Sequence, residues 1–343
     1  VGTFLRRWIG PLILLLVLGG GAGYWFYWNH LADGLRAGLD RWVADRRAEG
    51  IDVRHGPVEV SGFPYRLLLT VGAPAVSAPR RPAAPAWSAD SLDIYFQPWN
   101  LHHVILQPQG AQQLGWDARD GRKATVIRSA DTRISVRFDN AGHMETIATD
   151  MREMVADGDS PVRQAGRLQF HYRDNDGQAP DRPKNSTNLA LTGDDIVLTS
   201  GLVPISDTYQ QAALSILLRP LPAGTTPEAL DAWRDESGVI DISRIAFLTD
   251  RLRVSGDGTV ALDLNRRPEG AMTFVVHGAD RFIDALTAQG RMSEIARVGL
   301  RMAVSALEKT DKEGNRTVTL PLTVQDGIVS LLGFKLFPVP PVY

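Results

Sequence analysis

The sequence predicts an α+β protein: mostly antiparallel β-sheet, curved or sandwich-like, with a few helices in its C-terminal half and one N-terminal transmembrane helix. Three observations carry this reading. Residues 9–28 contain no charged side chain, and at about 1.5 Å per residue they are long enough to cross a hydrocarbon core of about 30 Å. Beyond Gly50 the dominant hydrophobic period is two, as in Ile134, Val136 and Phe138 alternating with Arg133, Ser135 and Arg137, the mark of strands with one apolar and one wet face. Chain breakers are dense, with 32 Gly and 21 Pro in 343 residues, as many strands and turns require.

Taken in order, Arg6 and Arg7 precede the apolar segment and, by the positive-inside rule, put residues 1–8 in the cytoplasm. Residues 9–28 are the anchor. Trp8, Tyr24, Trp25, Tyr27 and Trp28 read as its interfacial aromatic belts, so the membrane-anchoring set is Arg6, Arg7, Trp8, Trp25 and Trp28. The alternative is a cleaved signal peptide with Gly20-Gly21-Ala22 as its small-residue site, but the bulky residues 24–28 just downstream disfavour cleavage. Residues 29–49 repeat Leu31, Leu35, Leu39, Trp42 and Val43 at helical spacing, an amphipathic linker helix expected to pack under the β region. Residues 50–343 are the β-rich domain, expected in the periplasm, with two sub-modules dividing near residue 200.

Strands are expected at 51–60, 65–77, 91–97, 102–108, 123–130, 133–138, 167–173, 188–198, 239–247, 251–264, 271–277 and 317–324. Helices are expected at 207–218, from Thr226-Pro227 onward with threonine as cap and proline in the first turn, at 280–288 and at 293–309. The echo between V-E-V-S-G and L-R-V-S-G, from Leu252, reads as a strand and a Ser-Gly turn in both places.

Composition narrows the functions. A net charge of −2 with no basic domain argues against nucleic acid as a partner. With no cysteine, disulfides, thiolate metal sites and cysteine nucleophiles are excluded. The seven histidines show no H-E-x-x-H spacing, and His102 and His103 are adjacent, so on a strand they face opposite ways. Asp174-Asn175-Asp176-Gly177 resembles the middle of a calcium loop, but the first and twelfth ligand positions fall on Tyr172 and Pro183. Asp194 and Asp195 are neighbours that diverge. No nucleophile elbow, P-loop or dinucleotide fingerprint is present, so no catalytic residue, metal or cofactor is assigned.

At residues 56–67, G-P-V-E-V-S-G-F-P-Y-R-L, the chain resembles a family of alphaproteobacterial membrane-anchored envelope proteins that share a G-F-P-[YF]-R turn, here Gly62, Phe63, Pro64, Tyr65 and Arg66. The resemblance extends to W-S-A-D-S-L-D-I-Y-F-Q-P-W-N-L, residues 87–101, and to D-G-I-V-S-L-L-G-F-K-L-F-P-V-P-P, residues 326–341. The layout of anchor, amphipathic helix, long β region and final D-G-x-V-S-L strand also looks AsmA-like. That second resemblance implies handling of phospholipid in apolar β grooves during envelope biogenesis.

The expected function depends on what covers the apolar face of the sheet. If a ligand does, the domain binds lipid in a groove lined by Leu67, Leu69, Leu92, Ile94, Phe96, Ile134, Val136, Phe138, Phe170 and Tyr172, with Phe63 folding back as a plug. If the face is closed, the protein is a non-enzymatic envelope scaffold or assembly partner. A hydrolase built from dispersed acids and histidines would instead show a polar pocket. The expected partners are the inner membrane, lipid and envelope proteins.

Overall fold

A computed structural model of the chain describes residues 2–79, 84–118, 121–175, 185–201, 205–224, 226–250, 252–288, 294–310 and 316–342. They fall into two compact units, Val1–Val126 and Ile127–Tyr343. Residue 200, where the sequence suggests a division, lies in a connection between two strands of the second unit.

The first unit opens with α1 (Gly2–Ala48), one unbroken helix through both the apolar and the amphipathic segments. The expected anchor, residues 9–28, and the expected amphipathic linker helix, residues 29–49, therefore run into one another without a break. Tertiary packing supplies the reason: Trp28, Ala32 and Val43, on one stripe of the helix, are buried, which holds the later turns helical where the sequence becomes polar. The helix stops where Gly50 takes φ 81° and the Gly50 and Ile51 amides donate to the carbonyls of Arg47 and Arg46, a left-handed glycine termination.

Strands β1 (Asp52–Arg54), β2 (Val58–Ser61), β3 (Leu67–Gly72), β4 (Ala75–Ser77), β5 (Ala86–Gln97) and β6 (Asn100–Ala118) come after it. The division falls in the next strand, β7 (Gly121–Arg128). β3 lies between β2 and β5, opposing Leu69 to Val60 on one side and to Ile94 on the other, and Leu67 to Phe96. On this face Trp28, Ala32 and Leu67 form a core, with Leu31, Leu35, Val60 and Phe96 around it. Leu68, which points to the other face, stands opposite Tyr95 on the next strand, and the Arg66 guanidinium sits 5.6 Å from that ring's centroid.

The second unit is an antiparallel sheet through β8 (Asp131–Phe138), β9 (Met144–Gly158), β10 (Val162–Asn175), β11 (Ser186–Leu198), β12 (Thr208–Arg219) and, after α2 (Pro227–Asp235), β13 (Val239–Leu248), β14 (Arg253–Leu262) and β15 (Pro268–His277). Helices α3 (Ala279–Ala288) and α4 (Glu294–Leu307) and the short β16 (Lys309–Thr310) come next. The sheet then continues from β15 to β17 (Arg316–Gln325), β18 (Ile328–Leu331) and β19 (Phe334–Pro338).

The expected strands 51–60 and 65–77 are each two strands, β19 is not among the expected strands, and two strands of the second sheet differ more deeply. Residues 207–218, expected as a helix, are β12. Gln-Gln-Ala-Ala-Leu is good helix sequence, but the segment lies between β11 and β13 and pairs with both, and ladder bonds on two edges override propensity. β9 is absent from the expected strands, because a positive φ of 50° at Glu153 breaks its alternation as an irregular strand position does. The Ser-Gly echo also separates: Gly62 is in a turn, whereas Gly256 lies inside β14, where a Cβ would meet the Thr273 carbonyl oxygen and the Phe274 ring. The expected helices at 226 onward, 280–288 and 293–309 correspond to α2, α3 and α4, although residues 291–293 lie outside the described residues.

Candidate functional site

Three rows of side chains cross one face of the second sheet in register. One runs Ile134, Thr149, Phe170, Leu191, Leu214, Ile245, Gly256, Phe274, Leu320. The row on one side runs from Val136 through Ile147, Tyr172, Leu189, Ile216 and Ile242 to Met272 and Leu322; the row on the other passes through Met151, Leu168, Ala212, Phe247, Val254, Val276 and Val318.

The rows are covered unequally. At the β14–β18 end, α3 and α4 lay Ile283, Leu300 and Val304 on Val254, Val276, Val318, Leu320 and Leu331 in one buried cluster. Both helices are strongly amphipathic, as this one-sided burial requires. Toward β9, Met154, Ala156, Ala165, Ile196 and Tyr209 make a second cluster, flanked by Met151 and Leu168. Between them, the middle row is exposed at Leu191, 49%, and Phe170, 36%, while Ile134, Thr149, Leu214 and Ile245 are half-buried. Ile134, Phe170, Leu191, Leu214 and Ile245 belong to neither cluster. At about 4.8 Å between neighbouring strands, a row from β8 to β13 spans roughly 24 Å, more than the roughly 15 Å of one leaflet's hydrocarbon.

The chemistry around this face is sparse. Burial pushes the Tyr172 phenol up, with the nearby Asp174 charge adding to it. On the opposite face Arg167 donates twice to Asp150, at 2.8 Å to each oxygen, and this holds the Asp150 carboxyl below its ordinary value against the effect of burial. A concavity of about 430 Å3 lined by Thr192, Asp194, Gln211, Arg244 and Arg253 also includes side chains of that opposite face. Among the described residues no group of His, Asp and Glu is arranged to hold a metal. Asp174 and Asn175 are the last residues of β10, and Asn175 donates to Ser186; Asp176 and Gly177 lie outside the described residues.

The residues assigned to the groove fall in both units. Ile134, Val136, Phe170 and Tyr172 share the open face of the second unit, with Phe138 at its β8 edge opposite Met144. Leu67, Leu69, Leu92, Ile94 and Phe96 share a face of the first unit, where α1 packs on Leu67 and Phe96. Phe63 is not a plug on that face: it is 49% exposed and packs its ring against Tyr24 and Trp28. Sequence reasoning missed Leu189, Leu191, Leu214 and Ile216. Leu189 and Leu191 had an alternating signal in the expected strand 188–198, whereas Leu214 and Ile216 were hidden by the helical reading of 207–218.

The membrane-anchoring residues also divide. Leu12 to Leu18 are each at least 55% exposed, and this helix is long and apolar enough to cross a membrane. Trp25 remains exposed at 49%, but Trp28 is buried at 7%. Trp28 donates its indole N–H to the Arg66 carbonyl at 3.1 Å, Tyr24 donates its hydroxyl to the Pro64 carbonyl, and Tyr27 donates to the Pro98 carbonyl at 2.9 Å. Part of the expected aromatic belt therefore holds the G-F-P-Y-R turn onto the helix. Arg6, Arg7 and Trp8 fall in the first turns of α1, and their side chains lie outside the described residues.

No curated protein matches the chain. A family model described as "Uncharacterized protein conserved in bacteria (DUF2125)" matches residues 28–340, beginning at the buried Trp28 and including the G-F-P-Y-R turn, the second sheet and the final strands. With the match covering nearly all of both units, the chain belongs to this bacterial family.

Proposed function

We propose that the protein is a single-pass inner-membrane protein of the bacterial envelope, its N-terminus cytoplasmic and its β units periplasmic, and that the second unit binds the acyl chain of a lipid or a similar apolar ligand. The observation that carries this is the exposure of Phe170 and Leu191, opposed across β10 and β11 within in-register apolar rows that run from β8 to β13. A contiguous apolar face left open on a folded domain marks a binding surface, and its span exceeds that of a leaflet's chains. The AsmA-like resemblance of the sequence points the same way as an analogy of layout, and the alphaproteobacterial resemblance, carried by its motifs, supports the envelope location alone. The reading assigns binding and handling, with no catalytic step and no cofactor.

A photoreactive amino acid replacing Leu191 in the whole chain, activated in cells, tests it. The expected product is a covalent adduct to phospholipid or fatty acid, identified by mass spectrometry. Adducts to protein alone would overturn lipid binding in favour of an envelope scaffold whose partner protein covers the same face.

A further inference from the structure

We infer that two turns of the first unit, β2–β3 and β5–β6, are inserted into the membrane interface beside α1, so that this unit rests on the bilayer instead of hanging from a free tether. The inference rests on the reading of α1 as a membrane anchor. The three hydrogen bonds from Tyr24, Tyr27 and Trp28 fix both turns at one level of the helix. That level is the C-terminal end of the apolar segment: Pro11 to Tyr24 is about 20 Å of helix, and residues 9–28 about 30 Å, one hydrocarbon thickness.

The side chains presented at this level are those of an interface. Tyr65, next to the Pro64 carbonyl bound by Tyr24, is 78% exposed, and Trp99, next to the Pro98 carbonyl bound by Tyr27, is 67% exposed. Phe63 and Leu101 are exposed at 49% and 42%, and on the helix itself Trp25 and Phe26 at 49% and 67%. Large aromatic side chains on two turns and a helix, gathered at one depth, are costly in water and favoured among lipid headgroups, where aromatic rings keep a polar edge wet. The occupant of this surface is therefore the bilayer that α1 already enters, continuous with its exposed residues 12–18.

The chain has no cysteine, so single thiols can be introduced and labelled without background. Tyr65→Cys, Trp99→Cys, Leu16→Cys and Arg54→Cys each carry an environment-sensitive fluorophore, in the whole chain reconstituted into phosphatidylethanolamine–phosphatidylglycerol vesicles with a doxyl quencher high on the acyl chains. Arg54 is the aqueous reference. It adjoins Val53, whose carbonyl accepts from Arg47, about 35 Å along the helix from Tyr24. Labels at 65 and 99 are expected to be quenched about twofold or more, as for groups about 5–10 Å into the interface, while the label at 54 is unaffected. Quenching at 16 with none at 65 and 99 would overturn the insertion and leave the anchor standing; no quenching at 16 would overturn both. Both substituted turn residues are exposed, so their replacement opens no cavity, and an unchanged melting temperature in detergent verifies this.

Discussion

Leu320 and Leu191 stand in the same row of the same sheet, joined through Leu214, Ile245 and Phe274, yet Leu320 is 1% exposed and Leu191 49%. The difference lies in the neighbours. β17 has α3 and α4 over it, and β11 has no helix over its middle among the described residues. One alternating pattern thus serves as closed core at one end and open surface at the other, which separates the stabilising part of the face from the part available for a ligand.

The contrast can be broken most sharply by truncating both ends. Leu320→Ala removes a fully packed side chain and is expected to cost about 2–5 kcal/mol, whereas Leu191→Ala, at an exposed position, is expected to stay within about 0.5 kcal/mol. Denaturant unfolding of the two variants measures both, and equal losses would mean that the β11 region is covered. The corresponding covered site of the first unit is Trp28, and Trp28→Ala is expected to cost about 3–5 kcal/mol and to free the G-F-P-Y-R turn to proteolysis.

A smaller loss is expected at the turn itself. Gly62 adopts φ +100°, and a Cβ there would sit 2.7 Å from Arg66 Cγ and 2.8 Å from the Arg66 carbonyl oxygen. Gly62→Ala should therefore destabilise the first unit by about 1–3 kcal/mol, read as a lower melting temperature. For ligand binding the ordering reverses: Leu191→Ser should weaken capture of a fluorescent fatty acid severalfold with little change in melting, and Gly62→Ala should leave capture unchanged.

The smallest effect is electrostatic. Asp150, whose carboxyl is held low chiefly by the hydrogen bond from Arg167, contributes stability that is fully present above its unfolded value near about 3.9. That contribution is lost as pH falls through the lower folded value. Asp150→Asn should remove it at neutral pH and flatten the acid side of the stability–pH curve below about pH 4. A curve parallel to that of the parent chain would show that the Arg167 pair has no net effect.

By itself the sequence determined the elements whose signal is local. Continuous apolarity over residues 9–28 marked a helix able to cross a membrane. Strict alternation marked β8, β10 and β17, and Thr226 with Pro227 marked the start of α2, where the Thr226 hydroxyl accepts from the Ala229 amide. Period, caps and breakers act over a few residues, so they are legible without a partner. The tertiary structure decided what depends on distant neighbours. β12 is a strand because β11 and β13 flank it, and α1 continues past Trp28 because Leu67 and Phe96 receive it. The aromatics at 24, 27 and 28 have a structural use because the carbonyls of residues 64, 66 and 98 lie within hydrogen-bond reach. Alternation also reveals that a strand has an apolar face, but not what covers it: that depends on where α3 and α4 pack, and they leave Phe170 and Leu191 open.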